Sequence, residues 1–162
     1  MNYLKISVGI FLALAASRFI PHPPNFTSLI ALSFYVPAII GSRFIPVVLI
    51  SFVITDIFLG FHSNLFFTWA SVVIIGFSSI FFKSALKNRL LGVFVGACFF
   101  YIFTNFGVWL GGMYGYTSEG LILSYTMALP FFYNTIVSTA IYSILIEIVI
   151  KIYNSSWNFT KV

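Results

Sequence analysis

The feature that most constrains this chain is an apolar run, Phe44 to Phe61, long enough to cross a bilayer. It reads FIPVVLISFVITDIFLGF and carries one carboxylate, Asp56, near its far end. A helix needs about 20 apolar residues to cross the hydrocarbon core. An ionisable side chain inside such a segment is costly and usually functional. We therefore expect the other helices to pack around this run, with Asp56 near one mouth of the bundle.

The composition favours an integral membrane protein. Of 162 residues, 60% are hydrophobic and 7% are charged, whereas a soluble domain carries about 25% charged residues. The apolar segments have helix length and lack strict polar alternation, so we expect helices. The net charge of +5 would suggest nucleic acid binding in a soluble protein. Here it indicates the cytoplasmic excess of Lys and Arg, and we expect no nucleic acid partner.

The apolar runs predict an all-α fold: a single transmembrane domain, residues 1–162, built as a bundle of six transmembrane helices. The second run is short and holds Pro37, which interrupts regular helix hydrogen bonding. A short lid or half-helix is expected over Leu121–Leu129. The predicted spans cover residues 3–20, 29–41, 44–61, 65–82, 90–110 and 130–152.

The distribution of basic residues tests this topology. With both termini cytoplasmic, six spans leave only Arg18 outside, which agrees with the positive-inside rule. If the second run did not cross, the basic cluster between residues 83 and 89 would face outward. We therefore expect six spans rather than five. The basic residues predicted to be cytoplasmic are Lys5, Arg43, Lys83, Lys87, Arg89, Lys151 and Lys161.

The same topology gathers polar and aromatic groups at the outer mouths of the bundle. Small-molecule sites are concave, mainly apolar and contain a few fixed polar groups. We therefore predict an outer substrate cavity. Its predicted substrate-binding residues are Arg18, His22, Asn25, Asp56, Asn105, Trp109 and Asn134.

Several of these residues have more than one interpretation. Asp56 and Arg18 lie at the same predicted depth, so they either lock two helices together or contact a ligand, and Asp56 could instead carry a proton. Asn105 and Asn134 either join helices or contact a ligand, because an unpaired buried amide is costly. Trp109 either belongs to the interfacial aromatic belt or stacks on a flat ligand.

The spacing of several residues predicts two local interactions and argues against a metal site. Glu147 precedes Lys151 by four residues, the spacing of a helical ion pair, and Asn64 could cap the fourth helix. His22 and His62 lack a visible third donor, so we predict no metal site. The chain shows no Walker loop, H-E-x-x-H or G-x-S-x-G motif. We therefore expect neither an enzyme nor a cofactor.

Small side chains recur every four residues on the first helix, at Gly9, Ala13 and Ser17. Such a face lets helix backbones approach closely in lipid. It serves either packing within the bundle or docking of a partner subunit.

The chain resembles an uncharacterised bacterial family described only as candidate transport proteins and, more distantly, the substrate-binding (S) subunits of energy-coupling factor transporters. The resemblance implies six helices, capture of a vitamin- or cofactor-like solute at the outer side, and docking onto a transmembrane and ATPase module. Gly9, Ala13 and Ser17 occupy the docking position, although the family pattern is richer in alanine. The resemblance lies in the runs SRFIPHPPNFTSLIAL, TDIFLGFHSN, TNFGVWLGGMYGYTSEGL and ALPFFYNTIVST.

We therefore predict a multi-pass protein of the bacterial inner membrane that captures a small organic solute for uptake, alone or docked to an energising module. Two other functions stay open. One is an accessory structural subunit of a larger membrane complex. A wholly filled bundle with an extensive interface at lipid depth would favour that role. The other is a membrane-embedded enzyme acting on lipid or quinone, with Asp56 or a histidine as base. A closed cavity at the outer mouth that holds non-protein density would favour capture.

Overall fold

Between residues 3 and 159 the chain forms a bundle of seven α-helices. The structure is a computed structural model that describes this range, with side chains as far as Asn154. Every regular element in it is helical, so the predicted all-α fold is confirmed. Lys161, placed in the cytoplasm by the charge count, lies outside the described residues. The helices are α1 (Tyr3–Phe19), α2 (Leu29–Tyr35), α3 (Ile45–Leu59), α4 (Leu65–Ser78), α5 (Leu86–Leu110), α6 (Ser118–Thr126) and α7 (Leu129–Phe159).

Three stretches of the described chain are long and apolar enough to cross a membrane: Ser42–Leu59, Leu86–Leu110 and Leu129–Asn154. Two shorter apolar helices cover Leu29–Ile40 and Leu65–Phe81. Two helices extend well beyond the predicted spans. α5 begins four residues early, at Leu86, and α7 continues past residue 152 to Phe159. Neither extension contains the Pro or Gly that would end a helix.

The short second helix ends in an irregular turn, as expected from Pro37. A π-helical turn, Val36–Ile40, follows α2, with Pro37 near its start. Proline has no backbone N–H to donate to the preceding turn, which favours this wider turn. Gly41 then adopts φ +120°, and a 3₁₀ turn, Ser42–Phe44, leads into α3.

The most enclosed helix is α2. Six of its seven residues are buried, including Phe34 and Tyr35. It packs against α4, α5 and α7, while α3 lies between α1 and α4. The long run Phe44–Phe61 therefore has one buried side and one exposed side, and the short helix fills the centre.

The outward surface of the bundle is dominated by large apolar side chains. Phe58, Phe66 and Phe81 are 74%, 72% and 79% exposed. Soluble monomers rarely carry extended apolar patches, whereas lipid tails solvate such a surface well. The surface composition thus agrees with the helix lengths in indicating a membrane protein.

Basic residues collect at one end of the bundle. Tyr3 stacks on Phe44 with ring centroids 4.6 Å apart, and Arg18 pairs with Asp56, so α1 and α3 run parallel. We name the end near Tyr3 and Phe44 the basic end. The basic residues there, within the described range, are Lys5, Arg43, Lys83, Lys87, Arg89 and Lys151.

Candidate functional site

A partly open cavity of about 770 Å³ lies at the end of the bundle opposite the basic end, here called the cavity end. Its size is typical of small-molecule sites. Aromatic residues form much of the wall: Phe52, Phe100, Tyr101, Tyr114, Phe131 and Phe132. Polar residues include Arg18, His22, Asn25, His62, Asn64, Thr68, Thr104, Asn105, Ser124 and Thr135. A ligand that is mainly apolar and carries several hydrogen-bonding groups would fit this cavity.

Asp56 lies behind the cavity wall, and both of its carboxylate oxygens have partners. Arg18 Nη2 is 2.7 Å from Oδ1, and the indole nitrogen of Trp69 donates to Oδ2 at 2.7 Å. The aspartate is 1% exposed. The predicted pairing of Asp56 with Arg18 is confirmed, and the cluster joins α1, α3 and α4.

Arg18 forms the charged part of the cavity wall. Its Nη1 donates to the Thr55 hydroxyl and to the Phe52 carbonyl oxygen. The guanidinium carbon also lies 4.4 Å from the centre of the Phe52 ring. These contacts hold the guanidinium in place while its side chain keeps 14% exposure. It can therefore offer a positive, preorganised edge to a ligand.

The proline-rich loop between α1 and α2 is tied to α7 across the cavity end. The Asn134 side chain donates to the Pro24 carbonyl oxygen at 3.0 Å, and Ser138 donates to that of Asn25 at 3.5 Å. Asn25 has φ +63°, a conformation that asparagine tolerates better than most residues. Asn134 thus holds the loop, whereas Asn25 and His22 line the cavity.

Asn105 and Trp109 lie on the last turns of α5 but have different environments. Asn105 lines the cavity, and its amide nitrogen donates to the Tyr101 carbonyl oxygen at 2.7 Å. Trp109 lies outside the lining and donates to the Thr117 carbonyl oxygen at 3.1 Å. Asn105 is therefore the better candidate for ligand contact.

His22 and His62 face the same cavity from different loops. His22 contacts the carbonyl oxygens of Pro23 and Arg18 at 2.7 and 3.3 Å, and His62 Nδ1 accepts the Asn64 N–H at 3.2 Å. Within residues 3–159, no group of three His, Cys, Asp or Glu side chains comes close enough to hold a metal.

The loop before α6 closes one side of the cavity and ends in a helix cap. The Thr117 hydroxyl accepts the Gly120 N–H at 3.1 Å. The pKa of Glu119 is lowered because its own backbone N–H and the hydroxyls of Thr117 and Ser118 donate to the carboxylate. Met113 and Tyr114 of this loop line the cavity.

The small-residue face of α1 is partly exposed. Gly9 and Ala13 face outward, and a methyl group added at Gly9 would meet nothing within 4 Å. Ser17 is 7% exposed and hydrogen-bonds the Ser28 hydroxyl at 2.7 Å. Two of the three predicted docking residues are thus accessible, and the third packs inside the bundle.

Two predicted local interactions are wrong. Glu147 pairs with Arg89 of α5 rather than Lys151, through two hydrogen bonds of 2.7 Å each. Such a forked pair is stronger than a single contact between flexible chains. Asn64 precedes α4 without capping it through its side chain, since its amide donates to the Thr104 carbonyl oxygen at 2.9 Å.

Sequence reasoning missed several members of the site. Trp69 follows Asp56 by 13 residues in another helix, and only the packing of α3 on α4 brings them together. Tyr101 and Phe132 stack with centroids 4.4 Å apart, although each lies in a stretch that resembles lipid-facing helix. The i to i+4 spacing of Tyr101 and Asn105 was the available signal for a shared face.

No curated protein and no solved structure matches this chain. One family model matches residues 2–161, and its description is a family of unknown function, DUF6580. Because the match covers nearly the whole chain, the protein belongs to the DUF6580 family.

Proposed function

We propose that this protein is a six-span protein of the bacterial inner membrane that captures a small organic solute in the cavity formed by α1–α7. The observation that carries the proposal is the cavity itself, about 770 Å³ with an aromatic wall and fixed polar groups. A wholly filled bundle, expected for a purely structural subunit, would lack such a space.

The lining favours a flat or apolar solute that bears a hydrogen-bond acceptor or a negative group. Its described members include one guanidinium and two imidazoles but no carboxylate. Arg18 is already neutralised by Asp56, so the cavity would accept neutral solutes as well as anions. A cationic solute would find no counter-charge on the wall.

The proposed orientation places the basic end in the cytoplasm and the cavity on the outer side. It follows from the excess of basic residues at one end of the bundle, by the positive-inside rule. Uptake would then need either a conformational change of the protein alone or docking to an energising module. The exposed Gly9 and Ala13 on α1 support docking, because small side chains allow close helix contact in lipid.

A matched pair of alanine substitutions tests solute capture. Ala128 lines the cavity and Ala140 faces outward on α7, so Ala128→Trp fills the site and Ala140→Trp does not. Each protein is purified without added ligand, and extracted small molecules are identified by mass spectrometry. We expect one compound to co-purify with the unmodified protein and Ala140→Trp but not with Ala128→Trp. Equal recovery from both variants, or none from any folded form, would contradict the proposal.

A further inference from the structure

A line of polar side chains runs along one face of α7, from the cavity toward the basic end. Thr135, Thr139, Ser143 and Glu147 follow one another at intervals of four residues, which places them on one helix face. The line spans about 18 Å, because a helix rises about 1.5 Å per residue. Thr135 lines the cavity, and Glu147 pairs with Arg89 near the basic end.

Two hydroxyls in the middle of this line have no partner. Thr139 is 3% exposed and Ser143 0%, and neither hydroxyl oxygen has a hydrogen-bond partner. Most buried hydroxyls elsewhere in the described chain donate to a carbonyl oxygen of their own helix. Ser71, also 0% exposed, donates to the Phe67 carbonyl oxygen at 2.7 Å. Thr139 and Ser143 therefore depart from the usual pattern of back-bonding in helices.

A third buried hydroxyl meets this line from α2. The Tyr35 side chain is 2% exposed, and its hydroxyl lies within interaction range of the Glu147 carboxylate and the Ser143 hydroxyl. Neither contact has the geometry of an ordinary hydrogen bond. Buried polar groups are nearly always hydrogen-bonded to protein or ordered water, so the Thr139, Ser143 and Tyr35 hydroxyls are unusual.

Water molecules would complete this arrangement. Side chains four residues apart on a helix have Cβ atoms about 5–6 Å apart, a gap that one water spans with two hydrogen bonds of about 2.8 Å. Buried waters typically make about three hydrogen bonds to groups that lack other partners. Thr139, Ser143 and Tyr35 supply such groups between the cavity and the carboxylate.

We propose that this face of α7 is a hydrated proton path that connects the cavity to Glu147. A proton entering from cavity water passes along the waters and hydroxyls, and a Glu147 carboxylate oxygen accepts it. The Arg89 guanidinium keeps its charge while its ion pair is interrupted. Glu147 then releases the proton to water at the basic end, so that one proton crosses and no other group changes. The charged and titratable groups around Glu147 are Arg89 from α5, Tyr35 from α2 and Lys151 one turn on.

This path rests on the proposed transmembrane orientation but not on solute capture. The full chain is reconstituted into phosphatidylcholine vesicles that contain a pH-sensitive dye, and a potassium gradient with valinomycin drives protons inward. We expect dye acidification faster than in protein-free vesicles. Ser143→Ala, Thr139→Val and Glu147→Gln should each reduce the rate to that of protein-free vesicles.

Ser71→Ala is the matched control, because it removes an equally buried serine hydroxyl that already has a partner. It should leave the proton flux unchanged. If Glu147→Gln does not fold, the proton flux of Ser143→Ala and Thr139→Val still tests the path, because these substitutions leave the ion pair intact. No flux above protein-free vesicles, or flux unaffected by the Ser143 and Thr139 substitutions, would overturn the path. Loss of the co-purified solute in Ala128→Trp tests capture separately, so either idea can fail without the other.

Discussion

At the scale of single residues, Asp56 shows how a costly charge is kept inside an apolar bundle. Its two oxygens are taken by Arg18 and Trp69 at 2.7 Å each, so no lone carboxylate oxygen faces lipid. A buried ion pair adds little net stability by itself, but losing one partner leaves an uncompensated charge. Asp56 therefore acts first as the anchor that orients Arg18 toward the cavity.

Asp56→Asn should destabilise the protein by about 3 kcal/mol, the lower part of the range for breaking a buried pair, because Arg18 retains some access to the cavity. Trp69→Phe removes one hydrogen bond to a charged group and should cost about 1.5 kcal/mol. The free energies of unfolding of the two variants are compared in detergent, with intrinsic fluorescence or circular dichroism as the signal. An unchanged unfolding midpoint for Asp56→Asn would show that the ion pair is dispensable.

At the scale of helices, α5 achieves its close packing through glycine. A Cβ added at Gly107 would lie 2.3 Å from Asn64 Oδ1 and from Phe67 Cδ2. At Gly92 the nearest atoms, in Phe34 and Phe82, are 2.6 Å away. These glycines let α4 and the buried α2 approach α5 closely, and Gly107 also allows Asn64 to reach the Thr104 carbonyl oxygen beside the cavity.

Gly107→Ala should therefore cost about 1–3 kcal/mol, as overpacking of a tight contact does. Gly9→Ala is the matched control on α1, where nothing lies within 4 Å. It should leave stability unchanged or raise it by up to about 1 kcal/mol, because alanine favours helix. Both variants are compared by thermal unfolding in the same detergent, and equal midpoints would argue against the close approach of α4 to α5.

At the scale of the whole molecule, chemistry is separated along the length of the bundle. One end carries all of the described Lys and Arg residues except Arg18, and the other carries the cavity and its aromatic wall. The line of hydroxyls on α7 joins the two ends. This arrangement agrees with the proposed capture of a solute on one side of a membrane and with the proposed proton path to the other side.

Much of this arrangement follows from the amino-acid sequence, because helix length and hydropathy locate the apolar helices. Because a buried charge needs a partner, the pairing of Asp56 with Arg18 could be predicted correctly. Arg89 and Glu147 were not paired, because 58 residues separate them and their meeting depends on how α7 rotates against α5. The enclosure of α2 was also missed, since a short run with a proline gives no sign of being central. The rotation of a helix about its axis and the depth at which it lies in the bundle depend on how side chains pack, which hydropathy does not encode.

Cysteine labelling measures the orientation of the two ends most directly. In a Cys98→Ala background, Ser63→Cys places a thiol in the exposed loop at the cavity, and Ser84→Cys places one in the exposed loop at the basic end. Spheroplasts are treated with a membrane-impermeant maleimide before and after permeabilisation. Ser63→Cys should be labelled at once, and Ser84→Cys only after permeabilisation. The opposite pattern, or equal labelling of both in intact spheroplasts, would contradict a cavity that opens away from the cytoplasm.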